Sequence, residues 1–253
     1  MPNEIRTDWN LAALYQSFND PAIEAEKKQI EKAIDAFAAK WRDNPGYLEQ
    51  PAELVKALDQ YEQLNWHYGA SGKAGYYMWL ASELNQLDTE LKAKFNKMIE
   101  FAEKNSNKLL FFGLDLAKVP AAKQQEFLAA PELKKYRHYL ESLFAVAKYQ
   151  LSEKEEKILS LMSQPASGSW TRMTEEFLSG EEREITRDGK TELLPFPAII
   201  SLTQDTDKSV RDQAGKFVHE VNAKYAAVAE HELNAILLDK KIDDELRGLT
   251  RPD

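Results

Sequence analysis

The chain has 253 residues, 43% of them hydrophobic and 30% charged, which is the composition of a globular protein able to bury a sizeable core without a metal or disulfide staple. It has no cysteine, which excludes disulfides, thiol catalysis and thiolate zinc sites. Its 33 basic and 42 acidic residues leave a net charge of −9, an unfavourable balance for nucleic acid or anionic membranes as partners.

The N-terminus, MPNEIRTDWN, lacks a basic stretch followed by an apolar core, and no run approaches 18 apolar residues. Neither a signal peptide nor a membrane span is therefore expected, and the cytoplasm is the expected compartment. Thr7 or Asp8 can cap a short first helix carrying Trp9, Leu11, Leu14 and Tyr15. Asp20-Pro21 pairs a good N-cap with a residue suited to the first helical position. Ile23, Ile30, Ile34, Phe37 and Trp41 then form one stripe of a 3.6-period helix. Asp43-Asn44-Pro45-Gly46 stops it, and Pro51 opens a third helix with Leu54, Leu58, Tyr61 and Leu64 inward. Gly69, Gly72 and Gly75 mark either a break or a close helix crossing. From about Tyr76 to Lys104 the apolar spacing predicts one long helix through Leu80, Leu84, Leu87, Leu91, Phe95, Met98 and Phe101 or Ala102.

LLFFGLDL, from Leu109, reads as buried helix, and Pro120 and Pro131 each start a short helix. Tyr136, Tyr139, Leu140, Leu143 and Phe144 give the second of these an aromatic face, expected to be core. Ser152 through Glu155 is a capping box. Gly168-Ser169 precedes a helix bearing Trp170, Met173 and Phe177. The one β signal is EREITRDGKTELL at 182–194, a small exposed hairpin turning at Asp188-Gly189 and ended by Pro195 and Pro197. After a short helix to about Gln204, a long one is expected from near Asp207 to about Arg247. The predicted fold is all-α, with long antiparallel helices and this one hairpin. The expected divisions are 1–108, 109–180 and 181–253.

A hydrolytic zinc helix needs two histidines four residues apart with a glutamate beside the first. His219-Glu220 and His231-Glu232 each begin the pattern, but Ala223 and Ala235 stand where the second histidine should be. Twelve residues separate the two histidines, which sets them about 120° apart around a helix. They read as surface histidines, as do His67 and His138. Asp243, Asp244 and Glu245 read as a solvated ion-pair face toward Arg247 rather than a cation site. Glu175-Glu176 and Glu181-Glu182 read as surface charge. There is no nucleophile elbow and no phosphate loop, so the residues alone assign no catalytic, cofactor-binding or metal site.

WNLAALY at 9–15, LLFFGLDL at 109–116, KYRHYLESL at 135–143, LSEKEEKIL at 151–159 and SWTRMTEEF at 169–177 lie in an order that resembles the N-terminal domain of oligoendopeptidase F-type zinc metallopeptidases, relatives of thimet oligopeptidase. DKSVRDQAGKFV at 207–218 and ILLDKKIDDELRG at 236–248 resemble the segment that leads into their catalytic domain. The resemblance implies a helical wall of a deep channel that admits short unstructured peptides. It also implies zinc in the full-length parent, bound by an HExxH helix, a third glutamate and transition-state-binding Tyr and His residues, none carried by this chain. On this reading the chain is an N-terminal fragment, inactive alone, whose partner is the missing catalytic domain. Val210, Phe217, Val221, Val228, Ile236 and Leu237 should then leave an apolar surface that promotes self-association. The alternative is a free-standing helical module that binds a peptide or protein without enzymatic activity.

Overall fold

The structure, a computed structural model, describes residues 9–67, 69–85 and 88–250. The secondary structure of the described residues is helical apart from one two-stranded antiparallel hairpin, in agreement with the fold class read from the sequence. They form two compact units that divide between Ser160 and Leu161, each with its own apolar core. No described helix is long and apolar enough to cross a membrane.

In the first unit, Thr7 and Asp8 lie outside the described residues. The segment they were expected to cap is a single 3-10 turn, Leu11–Ala13, over which the Asn10 carboxamide accepts the Ala12 amide at 3.1 Å. Helix α1, Pro21–Trp41, starts where Asp20 accepts the Ala22 amide at 2.9 Å, and its stripe of Ile23, Ile30, Ile34, Phe37 and Trp41 is buried. A one-turn helix α2, Gly46–Glu49, leads to α3, Pro51–His67, which buries Leu54, Ala57, Leu58 and Leu64. Gly69 and Gly72 then adopt φ of 54° and 61°, so the glycines do mark a break, and α4, Gly72–Leu84, follows. Ser71 makes no side-chain cap at its start. Glu26 of α1 supplies it instead, accepting the Lys73 amide at 3.2 Å, the Ala74 amide at 2.9 Å and the Tyr15 hydroxyl.

The single helix expected over 76–104 is two. Helix α4 stops at Leu84, and α5, Thr89–Ala117, begins at Asp88, which accepts the Glu90 and Leu91 amides at 2.9 and 3.0 Å. Such a cap satisfies amides that a helix start leaves orphaned, and here it outweighs the continuous apolar spacing. Leu84 is accordingly exposed, and Leu87 lies outside the described residues. Helix α5 carries straight on through the LLFFGLDL run. Helix α6, Ala121–Ala129, and a 3-10 turn, Pro131–Tyr136, follow their prolines, and α7 spans Arg137–Val146. The capping box forms at α8, Glu153–Ser163: the Ser152 amide donates to Glu155 at 2.8 Å, and the Glu155 amide to the Ser152 hydroxyl at 3.4 Å.

Phe112 sits at the centre of this unit's core, fully buried, with ring centroids of Phe37 and Tyr47 at 5.2 Å and of Tyr61 at 5.0 Å. Trp41 meets Tyr47 edge-on at 5.9 Å and donates its indole N–H to Gln60 at 3.0 Å, so a large aromatic is buried without stranding its polar atom.

Helix α8 does not end in a loop. A π turn, Gln164–Gly168, runs directly into α9, Ser169–Ser179, with the Ser169 amide donating to the Gln164 carbonyl. Pro165 cannot donate a helical hydrogen bond, and the wider turn absorbs that defect. Strands β1, Glu182–Arg187, and β2, Lys190–Pro195, pair antiparallel with Arg187 opposite Lys190. The two residues between them, Asp188 and Gly189, have φ of 51° and 74°, as a tight hairpin turn requires. Helix α10, Phe196–Leu202, precedes α11, Lys208–Arg247, which is capped by Asp207 and closed by Gly248 at φ 70°. Ile185, Phe196, Ile199, Val210, Ala214, Phe217 and Val221 make the second core. Gln213 of α11 bonds the edge of β1 at one residue, accepting the Thr186 amide and donating to the Thr186 carbonyl, each at 3.1 Å.

Candidate functional site

All four histidines, His67, His138, His219 and His231, are exposed on helices. Neither they nor Asp243, Asp244 and Glu245 are brought into a metal-ligating group, and among the described residues no cluster of three or more His, Asp or Glu is placed to hold an ion. Asp243 pairs with Arg247 at 2.9 Å as the spacing suggests, whereas Asp244 is taken by Lys240 at 2.5 Å and Glu245 by Lys241 at 3.8 Å. Glu181, read as surface charge, is instead a tie within the second unit. It accepts from Lys224 and from the Tyr225 hydroxyl, both at 2.5 Å, and these donors hold its carboxyl below the usual carboxylate range. Phe177 stacks on the Tyr225 ring at 5.5 Å, and Thr174 bonds Glu232.

The apolar positions expected to be unsatisfied on α11 divide along its length. Val210, Phe217 and Val221 are buried, Val228 and Ile236 are half-buried, and Leu237 is exposed together with Leu233, Leu238, Ile242 and Leu246.

One concavity of the first unit lies where α3 meets the 3-10 turn Pro131–Tyr136 and α7. A hollow of about 460 Å³ is lined by Leu58, Tyr61, Glu62, Asn65 and Trp66 from α3 and by Tyr136 and Tyr139. Trp66 is 83% exposed and borders two further hollows, of about 400 and 180 Å³. Three physical facts shape the site. First, Tyr61 is held from behind by Phe112 and by Phe37 at 5.7 Å, so its ring is fixed by the core. Second, the Tyr136 hydroxyl lies 2.5 Å from Asp59 and 3.0 Å from Glu62, and burial with the Asp59 hydrogen bond pushes its pKa up to about 12. Third, Lys135 bridges Asp59 at 3.5 Å and Glu62, and its ammonium lies 4.8 Å from the Tyr136 ring centroid. Hydrogen bonds from Lys135 and Tyr136 hold Glu62 below the usual carboxylate range, so it is ionised at neutral pH.

The sequence placed Tyr136 and Tyr139 together on an aromatic face but read that face as core. Tyr136 and Leu140 are indeed buried, while Tyr139 is exposed enough to line the hollow. Trp66 and Glu62 carried no such signal. Their grouping with Tyr136 joins residues about 70 or more positions apart, which periodicity within one helix does not report.

The chain is similar in sequence and fold to known proteins. Residues 115–180 match the family model for oligopeptidase F. The chain is 28% identical over 165 residues to an oligoendopeptidase F homolog of Borreliella burgdorferi, an alignment covering 62% of this chain and 26% of that protein. It is 26% identical over 228 residues to the group B oligopeptidase PepB of Streptococcus agalactiae, covering 83% of this chain and 34% of that protein. The crystal structure of oligoendopeptidase-F from Enterococcus faecium superposes with a TM-score of 0.72 at 14% identity, over 92% of this chain and 45% of that one. A putative peptidase from Chlamydophila abortus gives a TM-score of 0.52 at 17% identity, over 96% and 40%. The chain thus spans about a quarter to a third of the curated relatives it matches.

Proposed function

We propose that this chain, similar in sequence and fold to the N-terminal region of oligoendopeptidase F-type proteins, is the non-catalytic part of a zinc oligopeptidase and supplies one wall of its peptide channel. The observation that carries the reading is the oligopeptidase F match at 115–180 inside a chain that shares the oligoendopeptidase-F fold along 92% of its length. The names of the curated relatives, an oligoendopeptidase F homolog and an oligopeptidase, support peptides as the substrate class.

The residues present do not fit a hydrolytic zinc. Such a site takes about three protein ligands and keeps one position open. His219 and His231 lie twelve residues apart on α11 and both are exposed, while Asp243, Asp244 and Glu245 are engaged by lysine and arginine. No step of peptide hydrolysis is therefore assigned to this chain's side chains. Its contribution is to present rigid helical surface to an extended peptide, with ordering entropy spent in folding rather than at binding.

A second reading, a free-standing helical module that binds peptide without hydrolysing it, draws on the aromatic hollow beside Trp66, which needs no metal. The coding sequence beyond Asp253 separates the two. If it continues into an HExxH-bearing segment, the joined protein should bind zinc and cleave a quenched-fluorescent peptide, with loss of turnover on chelation. A joined product without metal-dependent turnover, or a natural stop codon after Asp253, sinks the first reading in favour of the second.

A further inference from the structure

Trp66 stands out because an indole 83% exposed gives up most of the stabilisation its burial would bring. Its ring borders a hollow whose other walls are Leu58, Tyr61, Tyr136 and Tyr139, and whose charged group is Glu62. Glu62 is 46% exposed and has acceptor capacity to spare. Its Oε2 accepts from Lys135 and from the Tyr136 hydroxyl, whereas its Oε1 accepts no hydrogen bond among the described residues. A carboxylate can accept about four. Asp59 and Glu62 share the cation Lys135, which leaves one negative charge in excess on a chain whose net charge is already −9.

The chemistry of the occupant follows from these groups. An apolar side chain would cover the rings but take water from Glu62 Oε1 without replacing its hydrogen bond. An anion would be repelled. A cation on an aliphatic stem meets both demands, and Lys135 already shows the arrangement on the neighbouring ring, with its ammonium against Tyr136 and bonded to Glu62. Between the two basic side chains, a guanidinium can stack flat on an indole while donating in its own plane to a carboxylate, which an ammonium cannot.

The geometry points to this hollow as a binding site for an arginine side chain of an extended peptide, its guanidinium stacked on Trp66 and hydrogen-bonded to Glu62 Oε1. The peptide context rests on the function proposed above, whereas binding of the cation is a property of this chain and can be measured on it directly. The site would favour peptides with arginine at a fixed distance from the bond to be cut, and so would set which peptides lodge productively.

The test is a titration of the intact chain with Ac-Gly-Gly-Arg-Gly-Gly-NH2, following the five tryptophan indole N–H signals by two-dimensional NMR, that of Trp66 being assigned with Trp66→Phe. The arginine peptide should shift the Trp66 signal saturably at millimolar concentration. The citrulline counterpart, neutral but nearly the same shape, should bind about 5-fold more weakly. Glu62→Gln should weaken arginine-peptide binding and narrow that discrimination, while leaving the other four indole signals in place, which also shows that the variant is folded. Equal affinity for citrulline, or no shift of Trp66 with the arginine peptide, overturns the inference. A failure to find a zinc-bearing continuation would overturn the proposed peptidase role and leave these titrations untouched.

Discussion

Phe112→Ala is the sharpest probe of how the first unit is held together and of how its surface hollow is supported. Phe112 is fully buried, with three aromatic neighbours at centroid distances of 5.0 to 5.2 Å. A buried phenylalanine removes roughly 150–250 Å² from water, worth about 4–6 kcal/mol at 25 cal/mol per Å², and alanine keeps only a minor part. Loss of the edge-on and stacked ring contacts adds to this, and partial collapse around the cavity offsets it, so the expected cost is about 4 kcal/mol. That is a large share of the ~5–15 kcal/mol that stabilises a domain. Because the chain has two units, the change is best read by native-state hydrogen exchange, comparing amides of α5 with those of α11. A second consequence follows from Tyr61, which rests on Phe112 and forms a wall of the Trp66 hollow: the same variant should weaken arginine-peptide binding without altering any residue that touches the peptide. A loss below about 1.5 kcal/mol in α5 would show that the aromatic group is loosely packed and that the reasoning from ring distances is wrong.

Three further outcomes are expected. Glu181 has a folded-state pKa below its ordinary value near 4.5 because Lys224 and Tyr225 donate to it, so the unfolded chain takes up the proton first as pH falls. Its contribution is complete above that value and is lost as pH drops through the folded one; Glu181→Gln should lower stability at neutral pH and flatten the acid limb of a denaturation series, and an unchanged limb would count against the tie. Gly72→Ala should cost about 2 kcal/mol, because φ is +61° and a Cβ there would lie 2.7 Å from Ile30 Cδ1, whereas Gly189→Ala, at φ +74° with no atom within 4 Å, should cost only about 1 kcal/mol, and urea midpoints that reverse this order would refute the comparison. The exposed row Leu233, Leu237, Leu238, Ile242 and Leu246 should drive concentration-dependent association in sedimentation, reduced by Ile242→Lys, and a chain that stays monomeric at every concentration would remove that expectation.

Some of this structure could be read directly from residue order, because the controlling interactions are local. Asp188-Gly189 announced the hairpin since two adjacent positive φ values suit few other residue pairs. Ser152 and Glu155 announced the start of α8 since each bonds the other's amide three residues away. The break before α5 was hidden because Leu80, Leu84, Leu91, Phe95 and Met98 keep a helical spacing across it, although Asp88-Thr89-Glu90 carried a readable cap. The junction of α8 and α9 misled in the opposite sense. Gly168-Ser169 read as the start of a separate helix, and the π turn Gln164–Gly168 keeps the backbone helical up to it. The hollow beside Trp66 was not legible, because whether a helical aromatic is covered depends on where a distant segment stops. On α3, Tyr61 is half-buried against Phe37 and Phe112, whereas Trp66 is exposed.

The carboxylate of Glu26 has a consequence for the order in which the molecule assembles. It caps α4 from 47 and 48 residues away, through the amides of Lys73 and Ala74, while Ser71 beside them makes no cap of its own. With glycine at positions 72 and 75, α4 has poor intrinsic helicity at the end where nucleation is most costly. Its first turn therefore has reason to persist only after α1 has docked. The two amides then act as a built-in clock: their exchange with solvent should follow the separation of α1 from α4 rather than the fraying of α4 itself.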